Sequence, residues 1–294
     1  MRITVFTPTY NRAYILDQLY NSLKKQTFTD FEWLIIDDGS SDHTKELVEE
    51  WKKGENNFSI RYYWFENAGK PREINRALGL ARGELFLTVD SDDIITPNAL
   101  ELIDGWEKSI KEKDTFCALA GSHGDMSGNI INPVLNSPYV DVDFFNRYPE
   151  SGFFIGHDRP WVFYTSIHRK YLYPEFEGEK FITEAVTWNR MAHDGYKVRC
   201  FNDVIYLCEY QDDGLTKSIQ TILTNNPQGF GLWHKELMGF FHYGFRKRFK
   251  IYYSFYVSEN SKCTISQMSE YIGAPKWCIL ISACIFKLKH RTQR

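Results

Sequence analysis

The sequence predicts an α/β protein built on a mostly parallel sheet wrapped by helices. Three observations lead there. Through the first hundred residues, short runs of β-branched and aromatic residues alternate with stretches whose apolar residues recur at helical spacing. Each apolar run stops in a polar, turn-forming cluster. A chain of 294 residues, 43% of them hydrophobic, is long enough for one large α/β domain with an appendage.

Ile3 to Phe6 reads as the first strand, stopped by Thr7-Pro8-Thr9-Tyr10-Asn11-Arg12. Ile15, Leu16, Leu19 and Leu23 then mark one face of a helix. Trp33 to Ile36 is a second strand that ends in Asp37-Asp38-Gly39-Ser40-Ser41-Asp42, with Asp42 read as a turn-former and helix cap. Leu47, Val48 and Trp51 line the next helix, Arg61 to Phe65 is a third strand, and Ile74, Ala77, Leu78 and Ala81 mark a third helix. A fourth strand from Glu84 to Val89 runs into Asp90-Ser91-Asp92-Asp93. Thr96 and Pro97 then read as the N-cap and first residue of a helix from about Asn98. Crossovers between parallel strands are right-handed, and such sheets bind ligands beyond the carboxyl ends of their strands. The loops at 7–12, 37–42 and 90–93 are therefore expected to face one crevice.

The following stretch is less regular. Gly121 to Pro138 looks loop-rich, Trp161 to Ile167 alternates like a strand, and Phe181 to Met191 reads as a helix. Two further strands are expected near Lys197 to Phe201 and Val204 to Glu209. After Leu215 the pattern turns helical and aromatic-rich, so the expected division is a domain at 1–214 and a helical extension at 215–294.

Composition narrows the function. A formal charge of -3 is too slight for a nucleic-acid binder. Six Cys, at 117, 200, 208, 263, 278 and 284, show no CxxC spacing and read as reduced thiols or small buried hydrophobes. Met1 leads straight into strand-like sequence, without a signal peptide. The longest uninterrupted apolar stretch, Trp277 to Phe286, is about half of what a spanning helix needs. The expected location is cytoplasmic, peripheral on the inner face of the membrane. Neither a G-x-G-x-x-G nor a phosphate-cradling G-x-x-x-x-G-K-[ST] occurs.

The chemistry gathers at Asp90, Asp92 and Asp93. Carboxylates this close repel one another unless a cation lies between them, and oxygen ligands on a loop suit Mg²⁺ or Mn²⁺. The plainer reading is a solvated acidic turn. Asp38 has the chemistry to accept the imide N–H of a uracil, and Thr9 with nearby amides to hold a base or ribose. A phosphate in this crevice would be gripped by metal and side chains.

Taken together, Pro8-Thr9-Tyr10-Asn11-Arg12, Asp37-Asp38-Gly39-Ser40 with Asp42 and Thr44, Asn67-Ala68-Gly69-Lys70, Asn75, and Ala81-Arg82-Gly83-Glu84 leading into Asp90-Ser91-Asp92-Asp93 resemble family 2 glycosyltransferases of the GT-A fold. The resemblance covers residues 1 to 100 as an ordered series and looks most like enzymes that build bacterial capsule and other surface glycans. It implies a nucleotide-sugar donor (UDP-linked by family habit), a divalent Mn²⁺ or Mg²⁺ at a D-x-D motif, inversion at the anomeric carbon, and a glycan or lipid-linked acceptor. The donor-binding set it implies is Thr7, Pro8, Thr9, Tyr10, Asn11, Arg12, Asp37, Asp38, Lys70, Asp90 and Ser91. Thr9 and Asp38 would meet the nucleoside, Lys70 the diphosphate, and Asp90 the ribose or sugar. Asp92 would be the principal metal ligand, with Asp90 and Asp93 beside it; Arg72 and Arg76 are weaker candidates for the phosphates.

Inverting transfer needs a base on the acceptor side. Glu184, expected in the first turn of a helix, is the candidate, with Glu177 and Glu179 as loop-surface fallbacks. The family commonly carries two adjacent acids here, whereas this chain has Glu184-Ala185. Trp188, four residues on, would offer a sugar-stacking floor or pack in the core. His157, in His157-Asp158-Arg159, is a second candidate acceptor contact or, alternatively, a third metal ligand. Asp212-Asp213-Gly214-Leu215-Thr216 would close over the donor or simply turn into the next helix.

In the extension, Arg246-Lys247-Arg248 and Lys250 sit among aromatics, and Lys287, Lys289, His290, Arg291 and Arg294 follow Trp277 to Phe286. Basic residues interleaved with aromatics suit the interface of an anionic membrane, or a homodimer. Two other functions use the same acidic cluster: metal-dependent phosphoryl transfer or pyrophosphatase chemistry, and non-catalytic binding of a sugar nucleotide.

Overall fold

The computed structural model describes residues 1–208 and 219–291, the side chains of 219, 220, 290 and 291 excepted. The chain runs β1 (Ile3–Thr9), α1 (Leu16–Lys24), β2 (Phe31–Asp37), α2 (Thr44–Lys53), β3 (Ser59–Trp64), α3 (Lys70–Leu80), β4 (Leu85–Thr88), β5 (Ile94–Ile95) and α4 (Ala99–Lys108). It continues through β6 (Phe116–Gly124), β7 (Tyr139–Val142), β8 (Trp161–Tyr164), α5 (Thr165–His168), α6 (Ala185–His193) and β9 (Lys197–Leu207). Helices α7 (Ile219–Asn225), α8 (Pro227–Phe240), α9 (Phe245–Glu259), α10 (Ile265–Ile272) and α11 (Lys276–Arg291) complete the described chain.

These elements sort into two compact units. One holds Met1–Leu172 with the chain from Arg190 through β9, and the other holds Tyr173–Asn189 with α7 to α11. In the first, the strand order is β3-β2-β1-β4-β8-β6-β9-β5, with β7 paired to β9. β1, β2, β3 and β4 are mutually parallel, as expected from the β-α alternation. β8 enters antiparallel between β4 and β6, so the sheet is mixed beyond β4. Ile3, Val5, Trp33, Ile35, Leu85 and Leu87 are fully buried in its core, and Tyr20, Trp33 and Trp51 stack with centroids 4.5 to 6.1 Å apart.

The structure corrects several local expectations. The helix after the acidic turn begins at Ala99, and Thr96 does not cap it. Its N–H donates to the Ile205 carbonyl and its Oγ1 to that of Val204, so β9 holds Thr96 instead. The strand at Trp161 stops at Tyr164, where Thr165 turns into α5 while donating through its N–H to Glu84 and through Oγ1 to Gly83. β6 continues to Gly124 through the supposed loop because β9 pairs along it, Ser122 with Val204 and His123 with Tyr206. The two strands expected around Asn202-Asp203 are one, β9, bent by register shifts against β6. Asn202 pins that bend, its amide bonding Leu135 on both backbone groups. Glu209 and the 212–216 stretch, with the 214/215 boundary, lie outside the described residues.

In the second unit, Met238, Tyr252, Phe255, Met268, Ile272, Cys278 and Ile279 form a separate buried cluster. Among the described residues, no helix is long and apolar enough to cross a membrane.

The residue that delivers β4 to its place is Gly83. A Cβ there would sit 2.3 Å from Thr4 N, 2.5 Å from Ile3 C and 2.8 Å from Leu85 O, all backbone atoms. Gly83→Ala is therefore expected to destabilise the protein by about 3 kcal/mol or more. Gly79→Ala, in α3 with nothing within 4 Å, should be neutral or stabilising by up to about 1 kcal/mol. Urea unfolding of the two variants measures the difference.

Candidate active site

The loops after β1 and β2 hold each other. Asp37, fully buried, accepts from Ser40 N–H at 2.7 Å and from the Tyr62 hydroxyl at 2.6 Å. Asn11 adopts a left-handed backbone (φ 53), which aims its Oδ1 at the N–H groups of Ser41 (2.8 Å) and Asp42 (3.4 Å). Asp42 in turn accepts from Ala13 N–H and from both donors of Thr44. Burial works against its charge, yet those bonds hold its carboxyl below the usual range. The carboxylate of Asp38, 7% exposed, takes N–H donors from Ala68 (2.6 Å), Gly69 (2.9 Å) and Asn67 Nδ2 (3.1 Å). It organises the 67–69 loop that leads into α3. Gly39 sits at φ +88, and a Cβ there would lie 2.9 Å from Asn67 N; a side chain would push these loops apart.

Two members of the expected donor set are hydrogen-bonded within the protein. Thr7 is fully buried and its hydroxyl accepts from Trp33 Nε1 at 3.0 Å, so it faces the core. Asp37 stands behind the loop it fastens. Tyr10 is 51% exposed, Pro8, Asn11 and Arg12 are half-buried, and Ser91 is buried. Thr9 is 3% exposed, and among the described residues nothing hydrogen-bonds its Oγ1.

The acidic turn follows β4. Asp93 N–H closes it onto the Asp90 carbonyl at 3.2 Å. The Tyr206 hydroxyl, delivered from β9, accepts from Asp90 N–H at 3.0 Å and donates to Asp93 Oδ2 at 2.8 Å. Lys70, at the start of α3, places Nζ 2.8 and 3.0 Å from the two oxygens of Asp90. Burial, then Asp90, raises the Asp92 carboxyl above its usual range, against the pull of Arg12 and Lys70. The same two causes push Asp93 up to about 8, against the Tyr206 bond. The turn is thus short of positive charge.

Asp90, Asp92 and Asp93 were expected to share one ion. Among the described residues no three His, Cys, Asp or Glu side chains converge to hold a metal. Lys70 draws Asp90 aside and Tyr206 draws Asp93, while Asp92 takes neither of these bonds. The crowded, raised carboxyls still fit a hard cation of the Mg²⁺ or Mn²⁺ kind, held by one or two of them and completed by other oxygens.

Two site residues have no signal in the sequence. Tyr206 becomes visible only through the β5–β9 pairing, which sets it opposite Ile95. Glu73 is fully buried on α3, 2.5 Å from Arg76 Nη1, and the Arg76 Cζ lies 4.3 Å from the centroid of the Phe65 ring. Arg76 thus sits between the Glu73 carboxyl and the Phe65 ring.

The stretch bearing Glu184 belongs to the helical unit. Glu179 is not loop surface: it is buried and caps α8, accepting from Gln228 N–H (2.7 Å) and Gly229 N–H (2.9 Å). Asn226 Oδ1 accepts from Lys180 and Phe181 N–H, which fastens the chain just ahead of Glu184. Glu184 stands half-buried immediately before α6, which starts at Ala185 rather than at Phe181 and so leaves Glu184 ahead of its first turn, with Thr187 Oγ1 donating to its carbonyl at 3.1 Å. Trp188 is 5% exposed, the core-packing alternative. His157 is exposed and edge-on to Phe154. Its neighbour Arg159 is 1% exposed and donates to the carbonyls of Gly121, Pro133, Ile155 and Phe201, a structural hub.

A parallel β-α-β half that turns antiparallel beyond β4, with carboxylates at the end of that strand, defines a GT-A glycosyltransferase fold. The chain belongs to Glycosyl transferase family 2, whose pattern it matches over residues 4–166. The poly(ribitol-phosphate) β-N-acetylglucosaminyltransferase TarS of Staphylococcus aureus is 39% identical over 107 residues, 34% of this chain and 18% of that protein. GlyG of Streptococcus pneumoniae is 29% identical over 130 residues, 43% of this chain and 42% of that one. The chain thus aligns with less than half the length of these curated relatives. Among solved structures, S. aureus TarS 1–349 with UDP-GlcNAc superposes with a TM-score of 0.61 at 17% identity, covering all of this chain and 93% of that one. The mannosyltransferase PcManGT of Pyrobaculum calidifontis, with GDP-Man and Mn²⁺, gives 0.56 at 19% identity over 96% and 73%. At such identities these likenesses show the fold.

Glu73 carries a pH signature. Burial, then the Asp38 carboxylate, pushes it up to about 8 from its ordinary 4.5, against Arg76. A folded-state pKa above the unfolded one contributes stability below the unfolded value and loses it as pH rises through the folded value. Melting temperature should therefore fall between about pH 5 and 8. Glu73→Gln should flatten that fall, measured by thermal melts in chelator.

Proposed function

We propose that this enzyme transfers a sugar, with inversion, from a UDP-sugar to a hydroxyl of a glycan or lipid-linked acceptor in surface-polysaccharide synthesis. The carrying observation is the acidic turn at the carboxyl end of β4, tied to Lys70 and Tyr206. Support for the donor comes from relatives of the same fold crystallised with UDP and UDP-GlcNAc. Support for the acceptor class comes from relatives such as TarS and the chondroitin synthase of Escherichia coli.

Thr9, with its buried hydroxyl, and the loop fastened by Asp38 form the nucleoside side of the site. Tyr10, Asn11, Arg12 and Ser91 complete it. Lys70 and Arg12 carry positive charge toward the diphosphate, where negative charge grows as the bond to the anomeric carbon breaks. Asp92, with Asp93 or Asp90, would hold a divalent cation, which would supply further positive charge to the leaving diphosphate. Glu184 takes the proton of the acceptor hydroxyl as its oxygen attacks the anomeric carbon. The sugar–phosphate bond breaks on the opposite face, and the nucleoside diphosphate leaves with the electron pair. His157 contacts the acceptor from its exposed loop. The reaction takes place on the cytoplasmic side of a membrane.

The test follows UDP release from a panel of UDP-sugars with Mn²⁺ or Mg²⁺. Turnover should vanish with chelator, and Glu184→Gln should lower kcat by about 10²-fold or more while donor binding persists. Release of UMP and sugar 1-phosphate in place of UDP would point to phosphoryl transfer, and full activity in Glu184→Gln would remove it as the base.

A further inference from the structure

We propose that the outer face of α11, together with the start of α9, is a docking surface for an anionic lipid bilayer. The inner face of α11 is already partnered: Cys278, Ile279 and Ser282 are buried, the first two in the cluster with Tyr252, Phe255 and Met268. The outer face carries Trp277 (52% exposed), Leu280 (52%), Ile281 (43%) and Leu288 (63%). Their spacing of three, four and eleven residues from Trp277 lines them along one side of the helix. Phe245 of α9, 58% exposed, stacks on Trp277 with centroids 5.9 Å apart and planes at 25°, which widens the apolar strip.

The charge around the strip selects the occupant. Lys276, Lys287 and Lys289 flank it on α11, and Arg246, Lys247 and Lys250 flank Phe245 on α9; all are exposed. No Asp or Glu occurs in Lys276–Arg291. An apolar strip with a Trp, rimmed by Lys and Arg, matches the boundary between acyl chains and negative headgroups. A second copy of this chain, meeting it about a two-fold axis, would set like charges against each other. The helix is amphipathic and lies in the interface rather than crossing it, in keeping with the absence of a spanning helix among the described residues.

This deepens the reading of a surface-glycan transferase by naming the surface it works on, and rests on that reading for its purpose alone. The test is flotation of the full chain with phosphatidylcholine vesicles, with and without phosphatidylglycerol, UDP release being scored separately. The wild type should float with the anionic vesicles only. Leu280→Glu with Ile281→Glu, and independently Lys276→Gln with Lys287→Gln and Lys289→Gln, should each lower the bound fraction about tenfold. Neither should alter UDP release to a soluble acceptor. The surface lysine variant guards against misfolding of the first. Equal binding to neutral vesicles, flotation of both variants, or no flotation of the wild type would overturn the proposal. So would a wild-type dimer that Leu280→Glu dissociates without any lipid binding. Loss of UDP release with intact flotation would count against the donor site and leave this surface standing.

Discussion

Three carboxylates within four residues repel one another, and the first unit is arranged to hold them together. β4 delivers the turn from between β1 and β8, so its start is fixed on both sides. Tyr206 reaches across from β9 to tie Asp90 to Asp93. Lys70 places its charge against Asp90 from the first residue of α3. What these contacts leave is a partly buried site that favours neutral acids or added positive charge. That demand for positive charge is the feature of the fold on which the proposed transfer chemistry rests.

The same logic governs the neighbouring loops. Asp37, Asp38 and Asp42 each satisfy backbone N–H groups that would otherwise be stranded at the ends of β1, β2 and β3. Their carboxylates hold these loops in shape. Below them, buried Glu73 adds another acid whose charge is costly, offset in part by Arg76. Much of this site is therefore acid held in place by hydrogen bonds.

The β-α alternation, the parallel order of the first four strands and the acid-bearing end of β4 were legible because each rests on local periodicity and turn chemistry. Asp42 read correctly as a turn residue for the same reason. What stayed hidden depends on partners distant in sequence. Tyr206 is one aromatic in an apolar strand until β5 pairs with β9. Glu179 looks like a surface residue until α8 presents its N-terminus. Thr96 has the form of a cap, but β9 claims its hydroxyl. Thr7 belongs to the donor set the family resemblance implies, yet strand alternation turns it toward Trp33. The bend in β9 resembled a turn because Asn202-Asp203 is turn-like locally, and only the amide bonds to Leu135 show that the strand continues.

The second unit joins a core of its own to a capped loop that fixes the residues ahead of Glu184, and its helices carry a basic, aromatic surface. The claim on which everything else turns is that the acidic turn recruits a cation to bind a nucleoside diphosphate. Calorimetric titration of UDP, with and without Mn²⁺, into the wild type and Asp92→Asn tests it most directly. The account predicts that Mn²⁺ tightens binding to the wild type about tenfold or more and leaves Asp92→Asn unchanged. Equal tightening in both proteins, or none in the wild type, would contradict it.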